Sequence, residues 1–358
     1  MSRVTIQDIA DALGISRNTV SKAINQSDGI AEATRDKILQ KAVEMGYKQF
    51  SYVSMLTKAG SQIPEPAPAA PKSAGVVALL TTTLFSQHNH FGILMLDRFK
   101  KELSQLGYTM ETHIIDPDNL LQHTLPNTFL KEQVSAIICV EMLDRAYGEM
   151  ICTLGLPVLF VDGPANLTGN PLPADQLYME NTNAITRIVQ DMLAQGRRKI
   201  GFIGDYKHCQ SFYERYAAFR LAMLLAGVPV EEQFCITAET TDEQNNQLNA
   251  LTEMPDLFLC ANDFVAVGAI EVLRKRGITV PKDVLFAGFD DAPESRIITP
   301  ALTTVHIHSQ SMAFAAIQLL LSRIEEPSLD YRVMHTETTL IYRDSTTPPH
   351  TGSQEATV

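Results

Sequence analysis

The chain has 358 residues, of which 45% are hydrophobic and 20% charged, and its formal net charge is −12 at pH 7. This length accommodates two or three domains, and the composition is ordinary for a soluble globular protein. Because no apolar run reaches about 18 residues and no apolar stretch opens the chain, neither a membrane span nor a secretory signal is predicted, and a cytoplasmic location is expected. The five cysteines are scattered and form no CxxC pair, which predicts reduced thiols.

The charge is distributed unevenly along the chain. Residues 1–58 carry eight Lys/Arg and six Asp/Glu, whereas the remainder carries 21 and 35. A slightly basic head on an acidic body is typical of a DNA-binding protein. Because the acidic body repels phosphate, DNA would have to be bound by a small surface of the head.

The N-terminal region predicts three short helices. Thr5 is placed to cap the first helix, Gly14 to end it, and Ser16 to cap the second. A third helix is predicted from Ala31 to Met45. Two short helices joined by a tight turn and followed by a third form the helix-turn-helix plan. The apolar residues of the first helix share one face, at Ile6, Ile9, Ala10 and Leu13.

The outer face of the second predicted helix is polar and is formed by Arg17, Asn18, Ser21 and Lys22. In a major groove, Arg17 and Lys22 can donate to guanine edges and Asn18 can pair with adenine. Hydroxyls and amides at the two helix starts, at Thr5 and Ser16, can hold phosphates. The alternative that the pattern leaves open is a solvated amphipathic helix.

The motifs "VTIQDIA", "GIS..TVSKAIN", "ATRDKIL" and "MGY" closely resemble the DNA-binding head of the LacI/GalR family of bacterial transcription regulators. The resemblance implies that Arg17, Asn18 and Lys22 read bases. Lys22 departs from the family pattern, in which arginine is usual. Lysine lacks the planar fork of arginine, so selectivity for guanine is expected to be softer.

After the head, the family has a hinge helix that wedges a leucine between base steps of the minor groove. Leu56 stands at that position, but Ser54 replaces the usual arginine and the usual Pro-Asn pair is missing. A Pro/Ala run over residues 64–71 predicts an extended tether. A plain flexible linker therefore remains the alternative to a hinge helix.

From residue 75, short apolar strands alternate with amphipathic helices. Examples are "VSAIICV", predicted as a strand, and "ILMLDRFKKELSQLGY", predicted as a helix. Two such series predict two Rossmann-like lobes of α/β structure with parallel sheets. In such sheets ligands bind at the carboxyl ends of strands, here in the cleft between the lobes. The predicted divisions are a head (1–48), a hinge and linker (49–74), a first lobe (75–177 with 308–336), a second lobe (178–307 with 337–345) and a flexible tail (346–358).

"CANDFVAVGAIEVLRKRGITVPKDVLFAGFDDAPES", "TPALTTVH" and "GRRKIGFIG" resemble the body of the same family, which is similar to periplasmic sugar-binding proteins. The resemblance implies that Asp290 accepts donors of a small-molecule effector and that Arg215 is a bidentate donor. Ser211 lies one helical turn before Arg215, and Asp162 and Asn262 are implied to face the cleft. Each Asp or Asn could instead be a strand-end cap or turn residue.

The loop "LFSQHNHFGIL" departs from the family's usual first ligand loop. Ser86, His90 and Phe91 align best with the ligand-binding positions, with Phe91 as a ring platform. The two His-x-His pairs of the chain have no evident third ligand, so neither a metal nor a cofactor is predicted. The segment "TAETTDEQ" lacks the stacking aromatic of many relatives, which favours a polar ligand.

Together these features predict a homodimeric transcriptional repressor that binds pseudo-palindromic operator DNA. A small-molecule effector, expected to be a sugar, would control operator affinity from the cleft. A purine and a sugar phosphate are alternative ligands. One rival is a solute-binding sensor that merely kept a head. The other is an enzyme on an α/β frame, but no catalytic constellation is recognisable and no catalytic residue is predicted.

Overall fold

The computed structural model describes residues 5–24, 31, 34, 37–38, 41, 45, 74–82 and 90–346, without the side chains of 24 and 90–94. The chain divides into two compact units, residues 1–71 and 72–358.

The helices are α1 (Ile6–Leu13), α2 (Arg17–Ile24), α3 (His90–Gln105), α4 (Pro117–Gln122), α5 (Arg145–Cys152), α6 (Asn183–Ala194), α7 (Gln210–Leu225), α8 (Thr241–Ala250), α9 (Asp263–Lys275), α10 (Pro293–Ile297) and α11 (Ser309–Glu325). The strands are β1 (Gly75–Thr81), β2 (Tyr108–Ile114), β3 (Val134–Val140), β4 (Val158–Val161), β5 (Asp175–Met179), β6 (Ile200–Ile203), β7 (Cys235–Ile236), β8 (Leu257–Cys260), β9 (Leu285–Ala287), β10 (Thr304–Ile307), β11 (Val333–Thr336) and β12 (Thr338–Ile341).

The first unit contains the predicted helix-turn-helix. Thr5 and Asp8 form a reciprocal cap on α1: the Asp8 amide donates to Thr5 Oγ1 and the Thr5 amide donates to Asp8 Oδ2. Gly14 ends α1 in the left-handed region, at φ 64°. Ser16 caps α2 by accepting the Thr19 amide at 3.0 Å. A small shared core holds the helices together and contains Ile9, Ala10, Val20, Ala23 and Ile38.

Some predictions lie outside the described residues. These are the wedge at Leu56, the hinge and tether, the pocket residue Ser86, much of the third helix, and the tail beyond residue 346. The backbone of His90 and Phe91 begins α3, but their side chains are not among those described.

Six of the described strands form a parallel sheet in the order β11-β5-β4-β3-β1-β2. Along β1, alternate side chains enter two hydrophobic clusters. Val77 and Leu79 pack with α3 on one face, and Ala78 and Leu80 pack with α5 on the other. A sheet buried on both faces explains the continuous apolar strands in the sequence.

A second described sheet, with the order β7-β6-β8-β9, is also parallel and carries α7, α8 and α9. The antiparallel pair β10-β12 forms a separate two-stranded sheet, and isolated parallel bridges of Ala287 with Thr303 and of Asp290 with His306 join it to the end of β9. The chain passes between the two large sheets after β5, between β10 and α11, and between β11 and β12. Two parallel sheets in one unit agree with the predicted fold class, whereas the exact domain limits stay a prediction.

The predicted strand "VSAIICV" coincides with β3, but the predicted helix over residues 93–108 was wrong by three residues at both ends. The chain leaves α3 earlier because Gly107 adopts φ 82° and Tyr108 already pairs with Gly75 in the sheet.

Gly201 in β6 offers a test of the second sheet. A Cβ at this position would lie 2.6 Å from the Phe234 carbonyl oxygen and 2.8 Å from the Phe258 ring. We expect Gly201→Ala to lower the free energy of unfolding by about 1–3 kcal/mol, because backbone atoms must move. In the matched variant Gly268→Ala, on α9, the new methyl meets nothing within 4 Å. The Tm of both variants is measured by thermal unfolding, and an equal decrease in the two would contradict this packing.

Candidate functional site

Arg215 lies on α7 and is almost completely buried, at 2% exposure. Its Nε donates to Asn181 Oδ1 at 2.9 Å, and its Nη1 donates to the Ala261 carbonyl at 2.6 Å. The guanidinium carbon lies 3.5 Å from the centroid of the Phe289 ring. A guanidinium held by two acceptors and a ring is preorganised, because little further order is lost when it binds a ligand.

Asp290 follows β9, and its Oδ1 lies 3.7 Å from Arg215 Nη1. The residue has φ 111°, a strained conformation for a residue other than glycine. A quarter of its side chain is exposed. Burial raises the pKa of Asp290 to about 6, with the Arg215 charge opposing this rise and the Asp162 charge adding to it. Asp290 is therefore an acceptor that is mostly ionised at neutral pH and lies beside a fixed cation.

Asp162 comes from the other lobe, directly after β4, and has φ 49°. Burial raises its pKa, and the positive charge of Arg215 together with hydrogen bonds from the Ser211 backbone amide and from Cys209 opposes the rise. Asp162 and Asp290 thus come from two different sheets and both interact with Arg215. The structure brings these three predicted residues together in one polar cluster.

Ser211 and Asn262 are committed to contacts within the protein. The Ser211 hydroxyl donates to Met179 Sδ at 3.0 Å and is buried. Asn262 caps α9, with its Oδ1 accepting the Val265 amide at 3.0 Å. Capping is the alternative that the sequence left open for Asn262, and a ligand contact through either residue stays a prediction.

Two buried carboxylates beneath Asp290 were missed by sequence reasoning. Asp263 accepts the Thr304 hydroxyl at 2.6 Å and the Ala292 amide at 2.8 Å, and burial raises its pKa to about 8. The second, Asp291, is paired with the guanidinium groups of Arg296 and Arg343, and its Oδ2 also lies 3.0 Å from His306 Nδ1. The second acid of "GFDD" was a signal in the sequence, but its partners arrive from distant positions.

The histidine pairs can be followed only at residues 306 and 308. His306 Nδ1 lies 3.0 Å from Asp291 Oδ2, and His308 Nε2 lies 2.9 Å from Thr339 Oγ1. Within the part of the chain that the structure describes, no three His, Cys, Asp or Glu side chains are grouped to hold a metal ion. No described helix has both the length and the apolarity to cross a bilayer.

The predicted DNA-reading face lies on α2. Arg17, Asn18 and Lys22 are exposed there, and Ser21 is half-buried. The hydroxyls of Thr5 and Ser16 take part in the helix caps, with Thr5 Oγ1 2.8 Å from Asp8 Oδ2. Contacts of these residues with DNA stay a prediction.

A helix-turn-helix head followed by a two-lobed α/β body with a polar cluster to which both lobes contribute is typical of ligand-responsive DNA-binding regulators. The family model for bacterial regulatory proteins of the lacI family matches residues 5–49, and that for a periplasmic binding protein-like domain matches residues 189–346. Residues 5–49 thus match the lacI family of bacterial regulatory proteins and residues 189–346 its periplasmic-binding-like type of body, as the sequence motifs predicted.

Among similar sequences, the HTH-type transcriptional repressor PurR of Mannheimia succiniciproducens is 25% identical over 352 residues, covering 95% of this chain and 98% of its own. Among solved structures, the regulator CelR in complex with cellobiose has a TM-score of 0.65 at 22% identity, covering 96% of this chain and 100% of its own. The lac repressor dimer bound to operator and the anti-inducer ONPF has a TM-score of 0.62 at 19% identity, covering 96% and 99%. These structural likenesses support the predicted fold, and the relatives are named as regulators rather than enzymes.

Proposed function

We propose that this protein is a cytoplasmic repressor whose affinity for operator DNA is set by a neutral, hydroxyl-rich effector, a sugar, bound between the two lobes. The observation that carries this proposal is the polar cluster in which Asp290 lies 3.7 Å from the buried guanidinium of Arg215 and Asp162 interacts electrostatically with both. The proposed role is regulated binding, with no chemical step.

The charges of the pocket favour a neutral ligand with several donors. Two carboxyl groups accompany one guanidinium, so an anion such as a sugar phosphate meets little net positive charge and is disfavoured. Carboxylates accept hydrogen bonds from hydroxyls and the guanidinium donates to them, which suits a sugar ring. The structural relative CelR was solved with cellobiose, which supports this ligand class for the same fold.

Binding between two lobes supplies a route to control. A ligand that contacts Asp162 in one lobe and Asp290 in the other stabilises the arrangement in which both reach it. If that arrangement differs between the DNA-bound and free states, the ligand shifts operator affinity by its differential affinity for the two states.

The head favours a dimer on DNA. One α2 helix, with Arg17, Asn18, Ser21 and Lys22, covers only a short half-site, so two copies on a pseudo-palindromic operator are proposed. Dimer contacts are proposed along α3 and α11, which pack together in the body. Light scattering of the full chain is expected to give twice the monomer mass of 39.6 kDa.

A thermal-shift screen of the full chain tests the ligand class. Sugars, sugar phosphates, nucleosides and nucleobases are tested separately, and a ligand at 100 times its Kd adds roughly 2.7 kcal/mol to stability. Stabilisation by neutral sugars that is lost in Arg215→Lys supports the proposal. Stabilisation by phosphorylated sugars or nucleobases alone would reject the sugar assignment.

The raised pKa of Asp290 predicts a pH dependence of effector binding. The ionised carboxylate accepts ligand hydroxyls more strongly than the protonated acid does, and its pKa is raised to about 6. Effector affinity is therefore full above this pKa and falls as the pH drops through it, by up to about tenfold per pH unit for one group. Calorimetric titration of a sugar identified by the screen from pH 5 to 8 measures this. A flat profile would contradict ionised Asp290 as the acceptor.

A further inference from the structure

Glu214, the residue before Arg215 on α7, is the centre of a hydrogen-bonded chain that no prediction included. Its side chain is mostly buried, at 17% exposure. Glu214 Oε2 accepts the Asn181 side-chain amide at 2.8 Å, and Oε1 accepts that of Gln210 at 3.0 Å. His335 Nε2 lies 3.3 Å from Oε2.

Asn181 connects Glu214 to the pocket. Its Nδ2 donates to Glu214 Oε2, and its Oδ1 accepts from Arg215 Nε at 2.9 Å. Because a carboxylate accepts and cannot donate, Glu214 fixes which end of the Asn181 amide faces it. The carbonyl end must then face Arg215, which orients the guanidinium.

This hydrogen-bonded chain of side chains also joins the two lobes. His335 lies on β11 at the edge of the first large sheet, and Glu214 lies on a helix that packs on the second. Asn181 lies on the segment that leads from β5 to α6. Gln210, one turn before Glu214, extends the link, since its Oε1 accepts the Asn166 amide of the first lobe at 2.9 Å.

We infer that Glu214 is a positioning residue of the effector site. Glu214 binds His335 of one lobe and Asn181 beside Arg215, and the placement of Arg215 therefore depends on the protonation of His335. This inference rests on the proposed function, because it concerns the same pocket. It adds a control that lies outside the ligand contacts themselves.

The charged groups around His335 favour its protonation and so an ion pair with Glu214 that depends on pH. The hydrogen bond with Glu214 raises the pKa of His335, burial opposes the rise, and the charge of Glu180 adds to it. The Tyr178 ring packs against the imidazole, with centroids 5.5 Å apart. Burial acts to raise the pKa of Glu214, but hydrogen bonds from His335, Gln210 and Asn181 outweigh it and lower the pKa. The ion pair is thus complete below the raised pKa of His335 and is lost as the pH rises through it.

The test follows the Arg215 side chain directly by NMR of the full chain, labelled with ¹⁵N-arginine and without ligand. The Arg215 Nε–H signal is assigned from its absence in Arg215→Lys. In the wild type this signal is expected to shift with a midpoint above the ordinary histidine value of about 6.5. That shift is expected to vanish in His335→Gln and in Glu214→Gln, while a separate shift from Asp290, near pH 6, persists.

Glu232→Gln is the matched control. Glu232 lies on the surface and pairs at 2.8 Å with Arg220, which is on α7 like Glu214. It is expected to leave the Arg215 titration unchanged. His335→Gln alters a partly exposed residue and decides the test even where Glu214→Gln fails to fold. A wild-type signal without this midpoint, or one that keeps it in His335→Gln, overturns the inference. Since no ligand is used, that failure is distinct from a failed sugar screen.

Discussion

Arg17→Ala is expected to remove most of the preference of this protein for its operator over random DNA while leaving effector binding unchanged. Arg17 is exposed in the first turn of α2, where a recognition helix meets base edges. A bidentate arginine–guanine contact contributes about 1–3 kcal/mol of discrimination, which is roughly 5- to 150-fold per half-site. Neither the caps of α1 and α2 nor the small core involves this side chain, so the head should still fold.

The measurement is a competition between an operator selected from random duplexes and unselected DNA, at one fixed salt concentration. Salt must be fixed because phosphate contacts alone change affinity steeply with it. Lys275→Ala is the matched control, since it removes one exposed positive charge from α9 of the body. Discrimination that survives in Arg17→Ala would show that α2 is not the reading helix.

Asp290→Asn is expected to lower effector affinity severely without destabilising the body. A hydrogen bond to a charged acceptor contributes about 1.5–3 kcal/mol, so losing one or two costs at least roughly tenfold in Kd. The amide keeps the shape of the carboxylate and removes a buried negative charge beside Asp162. Because the folded-state pKa of Asp290 is raised, ionisation at pH 7 opposes folding, and the substitution relieves that cost.

Effector Kd and thermal unfolding are measured together on the same variant. The expected pattern is weaker binding, an unchanged or higher Tm, and operator binding that no longer responds to effector. Asp242→Asn, which neutralises an exposed aspartate in the first turn of α8, serves as the control for charge alone. Normal effector affinity in Asp290→Asn would reject the pocket.

Features that depend on neighbouring residues in the sequence could be predicted closely. The caps at Thr5 and Ser16 and the stop at Gly14 follow from local hydrogen bonding and backbone preference, and all three occur. The run "VSAIICV" could be placed as β3 because a strand buried on both faces, here at six of its seven residues, leaves a nearly continuous apolar pattern. The convergence of Asp162, Arg215 and Asp290 followed from the family resemblance rather than from spacing.

Features that depend on distant partners could not be predicted. The strand β5 begins with two polar residues in "DQLYM", and its Asp175 is buried only because Arg323 and Arg332, far along the chain, both bind it. Likewise, nothing near Glu214 in the sequence indicates a contact with His335. A single sequence shows which residues carry charge, but it does not show which distant charges meet.

The central claim is that a ligand held by Asp162, Arg215 and Asp290 controls operator binding. The most direct measurement is the Kd of the full chain for its selected operator, at fixed salt, without and with a sugar identified by the screen at 100 times its own Kd. We predict a change of about 5- to 150-fold, corresponding to a coupling free energy of about 1–3 kcal/mol, and no change in Asp290→Asn. An operator Kd that stays the same when the wild-type pocket is saturated would contradict the account.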